Sequence, residues 1–125
     1  MSDDRSTAGL EMRKRVLGAD YVAAATADPD DVFRPLQELV TEYCWGTVWT
    51  RPELPPRTRS LLTIAMLIAR GQDQELALHI RGALTNGCSQ QEIVEAIVHS
   101  AVYCGVPAAI SGARVARQVF ASAEA

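Results

Sequence analysis

Apolar residues that recur every three or four positions are the feature that most restricts how this chain can fold. They mark the segments 76–84 and 93–101, and this spacing places them on one face of an α-helix. No segment alternates apolar and polar residues at the period of two that a half-buried β-strand requires, and there is no internal repeat. The pattern therefore predicts an all-α fold, a compact bundle of about six helices.

Polar residues and proline set the expected boundaries near the N-terminus. Residues 1–8 are predicted to be disordered, and a first helix is predicted from near Gly9 to about Thr26. Asp28 suits an N-cap and Pro29 suits a first helical turn, so a second helix is predicted behind them. Its apolar residues recur at helical spacing at Phe33, Leu36, Val40 and Tyr43.

The segment from Trp45 to Pro56 differs from its surroundings because it holds two tryptophans, one glycine and three prolines. Glycine and proline interrupt helices. The segment is therefore predicted to be a structured loop that positions the aromatic rings and Arg51.

The remaining part of the chain is predicted to form four helices. The first, Arg57–Arg70, is apolar nearly all round, which indicates burial on several sides, either at the centre of the fold or at a subunit interface. The second, from about Gln72 to Asn86, ends at an Asn-Gly pair that suits a C-cap. A capping box at Ser89 begins the third. A break at Tyr103–Pro107 precedes the last helix, Ala108 to about Ala121.

Length, charge and hydropathy limit the class of protein. A chain of 125 residues suits a single domain, residues 1–125. The formal charge of −3 gives no electrostatic reason to expect nucleic acid or an anionic membrane as a partner. No apolar run reaches the length of about 18–20 residues that a membrane span needs, and the N-terminus has no apolar signal region. We therefore expect a cytoplasmic protein.

The cysteines and the short motifs point away from several chemistries. Cys44, Cys88 and Cys104 contain no Cys-x-x-Cys pair, so we expect free thiols and no zinc site, disulfide framework or thioredoxin-like pair. The chain also has no phosphate-binding glycine loop, dinucleotide fingerprint or serine nucleophile elbow. No metal or organic cofactor is expected.

His79 is the most informative of the polar residues. It lies on the same helical stripe as Leu76 and Ile80, so its side chain is predicted to face inward. It is either a core residue with a hydrogen-bond partner or, oriented by Glu75 one turn earlier, a proton donor or acceptor poised near neutrality. His99 lies off the apolar stripe and is predicted to be a surface residue.

A second group of candidates comes from the tryptophan-rich segment, where Glu42, Trp45, Trp49 and Arg51 lie close in sequence. The tryptophans either pack on the core or on another subunit, or they form a pocket wall that excludes water. In the second case Arg51 would pair with a carboxylate and Glu42 would be a titratable group of the pocket.

Two more residues have a structural and a functional interpretation. Arg59, at the start of a buried helix, is either a rim residue or a bidentate clamp for an anion. Tyr103 directly precedes the Gly-Val-Pro break, so it either packs in the core with a hydroxyl partner or points into a cavity.

Together these segments resemble the carboxymuconolactone decarboxylase family. The Trp-Gly-x-x-Trp-x-Arg and Tyr-Cys-Gly-x-Pro segments are fairly specific to the decarboxylase branch. The matching segments cover most of the chain in the order of the family: Val16–Val22, Glu42–Arg51, Arg57–Leu61, Glu75–Gly87 and Tyr103–Ala109.

The resemblance implies an all-helical fold that assembles into homotrimers or homohexamers. It also implies cofactor-free conversion of 4-carboxymuconolactone, a small dicarboxylate lactone, to β-ketoadipate enol-lactone and CO2 in the protocatechuate branch of the β-ketoadipate pathway. His79 is then the expected proton donor, and Glu42 would orient the histidine or the substrate. The expected substrate-binding residues are Arg51, Arg59, Trp45, Trp49 and Tyr103.

Other interpretations remain open. The chain could be a relative that acts on a different small lactone or keto-acid, or a non-catalytic oligomeric binding protein. The distantly related alkylhydroperoxidase D-like branch carries Cys-x-x-Cys followed by histidine. When that histidine is aligned with His79, the two cysteines of the peroxidase branch fall on Gln72 and Glu75. The catalytic acid of that branch falls near Ser60. A thiol peroxidase needs those sulfurs, so peroxidase activity is not expected.

Overall fold

A computed structural model describes residues 3–27 and 29–124, and over these ranges the chain forms seven α-helices, one π-helix and no β-strand. This confirms the all-α prediction. The helices are α1 Asp3–Leu17, α2 Ala19–Thr26, α3 Phe33–Leu39, α4 Pro56–Arg70, α5 Asp73–Thr85, α6 Gln90–Cys104 and α7 Val106–Glu124. The π-helix, called the π segment below, spans Val40–Val48. The chain divides into two compact units, unit 1 up to Pro55 and unit 2 from Pro56, so the single-domain assignment stays a prediction.

The N-terminal helices differ from the prediction in their boundaries. Helix α1 begins at Asp3 rather than near Gly9, so the predicted disorder of residues 1–8 was wrong for residues 3–8. The predicted single helix is two helices, because Gly18 adopts a φ of 94° that lies outside the helical region. The predicted N-cap Asp28 lies outside the described residues. Asp30 accepts hydrogen bonds from the backbone N–H groups of residues 32 and 33 instead.

The π segment corrects the prediction that no helix passes through the tryptophan-rich stretch. The helix continues through Trp45 to Val48, and the chain leaves helical conformation only after that point. Gly46 does not act as a helix breaker here. A Cβ atom at that position would collide with the carbonyl oxygen of Arg5 on α1, so the glycine permits close contact between two helix backbones. The prolines lie beyond the end of the π segment.

Unit 2 follows its local sequence signals more closely. Gly71, Gly87 and Gly105 adopt positive φ values where the predicted helices end. Ser89 and Glu92 form the predicted capping box, with backbone-to-side-chain distances of 3.0 and 2.8 Å. The buried apolar side chains of this unit form one core: Ile64, Ile68, Leu76, Ile80, Ala83, Cys88, Ile93, Ile97, Ala109, Ala116 and Val119.

Helix α4 is less buried than its composition indicated. Ser60, Ile64 and Ile68 form its buried face at a spacing of four. Leu62 and Met66 lie on another face, and Met66 is 62% exposed. A central position buried on several sides is therefore excluded within the single chain, since apolar composition alone does not show how many faces a neighbour covers. Burial at a subunit interface stays a prediction. In the described part of the chain, no helix is both long and apolar enough to cross a membrane.

Candidate functional site

The His79 side chain lies on α5 between two fully buried residues of the same helix, Leu76 and Ile80. This agrees with the predicted inward orientation. Burial lowers the pKa of His79 from its ordinary 6.5 to about 4, so the imidazole is neutral at pH 7 rather than poised near neutrality as expected. Glu75, the predicted orienting carboxylate, is exposed. A neutral imidazole can donate or accept a hydrogen bond but is not a ready acid.

A polar connection in unit 2 joins α4 to the C-terminal end of α5. The Nδ2 of Asn86 donates to the Oγ of Ser60 at 2.9 Å and to the carbonyl oxygen of Pro56 at 3.4 Å. Ser60 is fully buried. The position near which the peroxidase branch would carry its acid therefore holds the Ser60 hydroxyl, which accepts a hydrogen bond from the Asn86 amide.

Arg59 directly precedes Ser60, and its side chain is half-buried. This degree of exposure is compatible with both the rim and the clamp interpretation. Tyr103, on α6, matches neither of its interpretations, because its ring is 77% exposed. Packing of this ring in the core of the chain is therefore excluded, and its place in a cavity stays a prediction. Its ring centroid lies 5.1 Å from that of His99, which is exposed as predicted.

In unit 1, the tryptophans form a stacked pair. Trp45 and Trp49 have ring centroids 4.7 Å apart and an interplanar angle of 27°, and they are buried together with Val16 of α1. An offset aromatic pair of this kind contributes stability beyond its buried area. Both rings therefore pack within unit 1, and their role as a pocket wall stays a prediction.

The polar candidates of unit 1 lie close to this pair in sequence. Glu42 is half-buried on the π segment, and its carbonyl oxygen accepts a hydrogen bond from the Thr47 hydroxyl at 3.2 Å. Arg51 follows the segment and is exposed, with its guanidinium 3.6 Å from the Glu53 carboxylate. An exposed pair of this kind is weak and leaves the arginine accessible to an anion.

Sequence reasoning missed Arg13. Its side chain is only 4% exposed, and its Nη1 donates to the Oε1 of Gln37 at 2.8 Å and to the Oγ1 of Thr41 at 3.3 Å. It therefore connects α1 to α3 and to the π segment. The available signal was the spacing of four that places Arg5, Gly9 and Arg13 on one face of a helix.

One apolar groove of the described chain lies away from the predicted site residues. A groove of about 530 Å³ lies between α6 and α7 and is lined mainly by apolar side chains, with Arg117 and Gln90 as its polar members. None of the predicted site residues lines it. Among residues 3–27 and 29–124, no three His, Cys, Asp or Glu side chains are grouped so that they could hold a metal ion. The expected lack of a cofactor stays a prediction.

Comparison with known proteins places the chain in a family. It is 50% identical over 102 residues to the nitrosuccinic acid decarboxylase npaB of Metarhizium robertsii, which covers 82% of this chain and 71% of that protein. It is 40% identical over 121 residues to the 4-carboxymuconolactone decarboxylase of Acinetobacter baylyi, and this match covers 96% of this chain and 90% of that protein. The model of the carboxymuconolactone decarboxylase family matches residues 34–118. The chain therefore belongs to the carboxymuconolactone decarboxylase family.

Proposed function

We propose that this protein is a carboxy-lyase that converts 4-carboxymuconolactone to β-ketoadipate enol-lactone and CO2 in protocatechuate catabolism, in the cytoplasm and without a cofactor. The observation that carries the proposal is the identity of 40% with a 4-carboxymuconolactone decarboxylase, which extends over 96% of this chain and 90% of the relative. A match of this extent includes both compact units.

The chemistry of this substrate supports a reaction in which the substrate is its own electron sink. The bond between the ring carbon and its carboxylate breaks, CO2 leaves, and the electron pair moves through the ring double bond onto the lactone carbonyl oxygen. Protonation of the ring carbon next to the carbonyl then gives the enol-lactone. The protein has to bind the retained acetate arm, desolvate the departing carboxylate and stabilise the dienolate.

His79 and Glu42 are the proposed catalytic residues. Because burial keeps His79 neutral in the free protein, we assign it first as an N–H donor to the dienolate oxygen. The two negative charges of the bound substrate favour the protonated imidazole, so His79 takes up a proton from solvent, passes it to the ring carbon and returns to its neutral form. Glu42 would orient the histidine or the substrate, or would repel the departing carboxylate.

The binding roles are proposed for residues of both units. Arg51 or Arg59 would pair with the retained carboxylate, since a guanidinium matches a carboxylate in two parallel hydrogen bonds. Trp45 and Trp49 would provide an apolar wall, and Tyr103 would provide a further contact.

We expect Arg59→Lys to raise mainly KM, because lysine cannot form the two parallel hydrogen bonds of a guanidinium. A KM equal to that of the wild type would exclude Arg59 as the clamp.

A second substrate is favoured by a separate observation, the 50% identity with a nitrosuccinic acid decarboxylase. Nitrosuccinate loses the carboxylate on its nitro-bearing carbon to leave a nitronate, in which the nitro oxygens hold the charge. In both substrates the reacting carbon carries a departing carboxylate and a CH2-carboxylate arm. The same arginine clamp and the same anion-stabilising donor would therefore serve either reaction.

The deciding experiment is a CO2-release assay of the purified, metal-stripped protein with each substrate in turn. Turnover of 4-carboxymuconolactone at a kcat/KM well above that for nitrosuccinate would establish the first proposal, and the reverse ratio would establish the second. If the folded protein released CO2 from neither, both proposals would fail. A relative acting on another small lactone or keto-acid, or a non-catalytic binding protein, would then be favoured.

Assembly into a homotrimer or homohexamer is part of the proposal. It is supported by large apolar side chains that the chain leaves exposed, among them Val94, Val98 and Val102, which share one face of α6 at a spacing of four. Contiguous exposed apolar surface is typical of subunit contacts. Light scattering coupled to gel filtration tests this directly, and a monomer at micromolar concentration would reject it.

A further inference from the structure

One face of α1 lies against the backbone of the π segment. Arg5, Gly9 and Arg13 recur every fourth residue and share that face. A Cβ atom on Gly9 would lie 2.7 Å from the backbone nitrogen of Gly46 and would also collide with the carbonyl oxygen of Thr41. A Cβ atom on Gly46 would in turn collide with the carbonyl oxygen of Arg5. The two helix backbones therefore touch, and this requires glycine at both positions.

Arg13 fixes the other end of this contact. Its buried guanidinium bonds to Gln37 of α3, to Thr41 of the π segment and to the Tyr21 side chain of α2. Among the described residues, no carboxylate meets it. Burial lowers the pKa of Arg13, and a buried cation that is paired only with polar groups is held by the geometry of its hydrogen bonds. Thr41, one residue before Glu42, is thereby fixed to α1.

The π conformation itself needs support from outside the segment. A π-helix is rare, and most examples are single-turn bulges at functional sites. Here it continues for nine residues. Within the segment, short side-chain contacts such as the Thr47 hydroxyl on the Glu42 carbonyl add to the backbone bonds. The contacts along α1 are therefore the main external support of the conformation.

We propose that Gly9 and Arg13 are positioning residues that hold the π segment in its i→i−5 hydrogen bonding and thereby aim the Glu42 side chain. Relaxation to i→i−4 bonding would change the rotation per residue and turn Glu42 and Trp45 about the helix axis. The inference rests on the proposed function, because it assigns Glu42 a part in decarboxylation. The family match begins at residue 34, so α1, which carries both positioning residues, lies outside the matched range.

The test uses a reporter that the chain already contains. Its two tryptophans are both in this stretch and stacked on each other, so near-ultraviolet circular dichroism and tryptophan fluorescence report on its geometry without any assay of activity. The variants are Gly9→Ala and Arg13→Met. The matched controls are Thr7→Ala and Arg15→Met, which change exposed residues of the same helix. Far-ultraviolet circular dichroism confirms that each variant is folded.

We expect both variants, and neither control, to change the tryptophan signal. In the same variants kcat should fall about 10- to 100-fold with little change in KM, because a misplaced catalytic group affects the chemical step more than binding. Arg13→Lys, which keeps one donor, should recover part of kcat and of the signal. A purely structural loss of stability would not produce this split between kcat and KM at a temperature where the variants are folded.

Two results would overturn the proposal or part of it, and a third would separate it from the proposed function. An unchanged tryptophan signal in folded Gly9→Ala and Arg13→Met would show that α1 does not hold the segment. A changed signal with unchanged kcat would break the link to Glu42 and leave the proposed function intact. If the wild type turned over neither substrate, the proposed function would fail, and the tryptophan signal alone would decide whether α1 holds the π segment.

Discussion

The two compact units use different means to define their helices. In unit 2, helix ends coincide with residues whose own chemistry ends or starts a helix, such as Gly71 and the Ser89–Glu92 capping box. In unit 1, the conformation of the π segment depends on a second helix that contacts it. Local signals are therefore sufficient where a helix is conventional, and tertiary contacts prevail where the backbone approaches another backbone closely.

Among the tests of this contrast, Trp45→Ala is expected to have the largest effect on stability. Trp45 is 4% exposed and stacks on Trp49, so its removal should destabilise the π segment by about 3–5 kcal/mol. Hydrogen exchange of the amides of residues 40–48 measures the loss of protection. Tyr43→Ala, which changes an exposed ring of the same segment, should alter protection by no more than about 0.5 kcal/mol. Equal losses in the two variants would show that the stacked pair does not support the segment.

The pH dependence of stability should come from unit 2. The pKa of His79 is about 4 in the folded chain against an ordinary 6.5, so between these values the unfolded chain binds a proton that the folded chain does not. The free energy of unfolding should therefore decrease as pH falls below about 6.5, by up to about 3 kcal/mol near pH 4.

Urea denaturation of the wild type and of His79→Gln, at about pH 7.5 and about pH 4.5, measures this contribution. The variant should lose less stability than the wild type between the two values. The same loss in both proteins would mean that other groups cause the pH dependence.

Activity should depend on the same histidine. His79→Ala is expected to lower kcat/KM for the preferred substrate by about 100-fold or more, which corresponds to about 2.7 kcal/mol. His99→Ala removes the only other histidine of the chain, an exposed one, and should leave turnover near that of the wild type. If His79→Ala retained normal turnover, the assignment of His79 as a catalytic residue would be rejected.

The smallest effect on stability is expected from the polar connection between α4 and α5 in unit 2. Asn86→Ala removes the donor to Ser60 and leaves a buried hydroxyl without it, so the free energy of unfolding should decrease by about 1–2 kcal/mol. Thr85→Ala changes an exposed neighbour and serves as the control. A loss no larger than that of the control would show that this polar connection is not a determinant of unit 2.

The sequence predicted the fold class and most of unit 2, because helical periodicity and caps act over a few residues. It did not predict the role of Gly46. A glycine can either interrupt a helix or, because it has no Cβ atom, let two helix backbones approach closely, and the sequence does not distinguish these roles. The low pKa of His79 and the exposure of Tyr103 depend on which helices cover each side chain. That coverage is decided by packing between distant parts of the chain, and no local pattern encodes it.

The three free cysteines lie at three depths, which makes them natural probes of unfolding. Cys104 is exposed, Cys44 is half-buried in unit 1, and Cys88 is buried in unit 2, where its thiol donates to the Arg57 carbonyl and burial raises its pKa. A thiol reagent in increasing urea should therefore modify Cys104 first, Cys44 when unit 1 opens, and Cys88 last. Mass spectrometry of the modified peptides would give the order in which the two units lose their structure, in a single titration of the unlabelled protein.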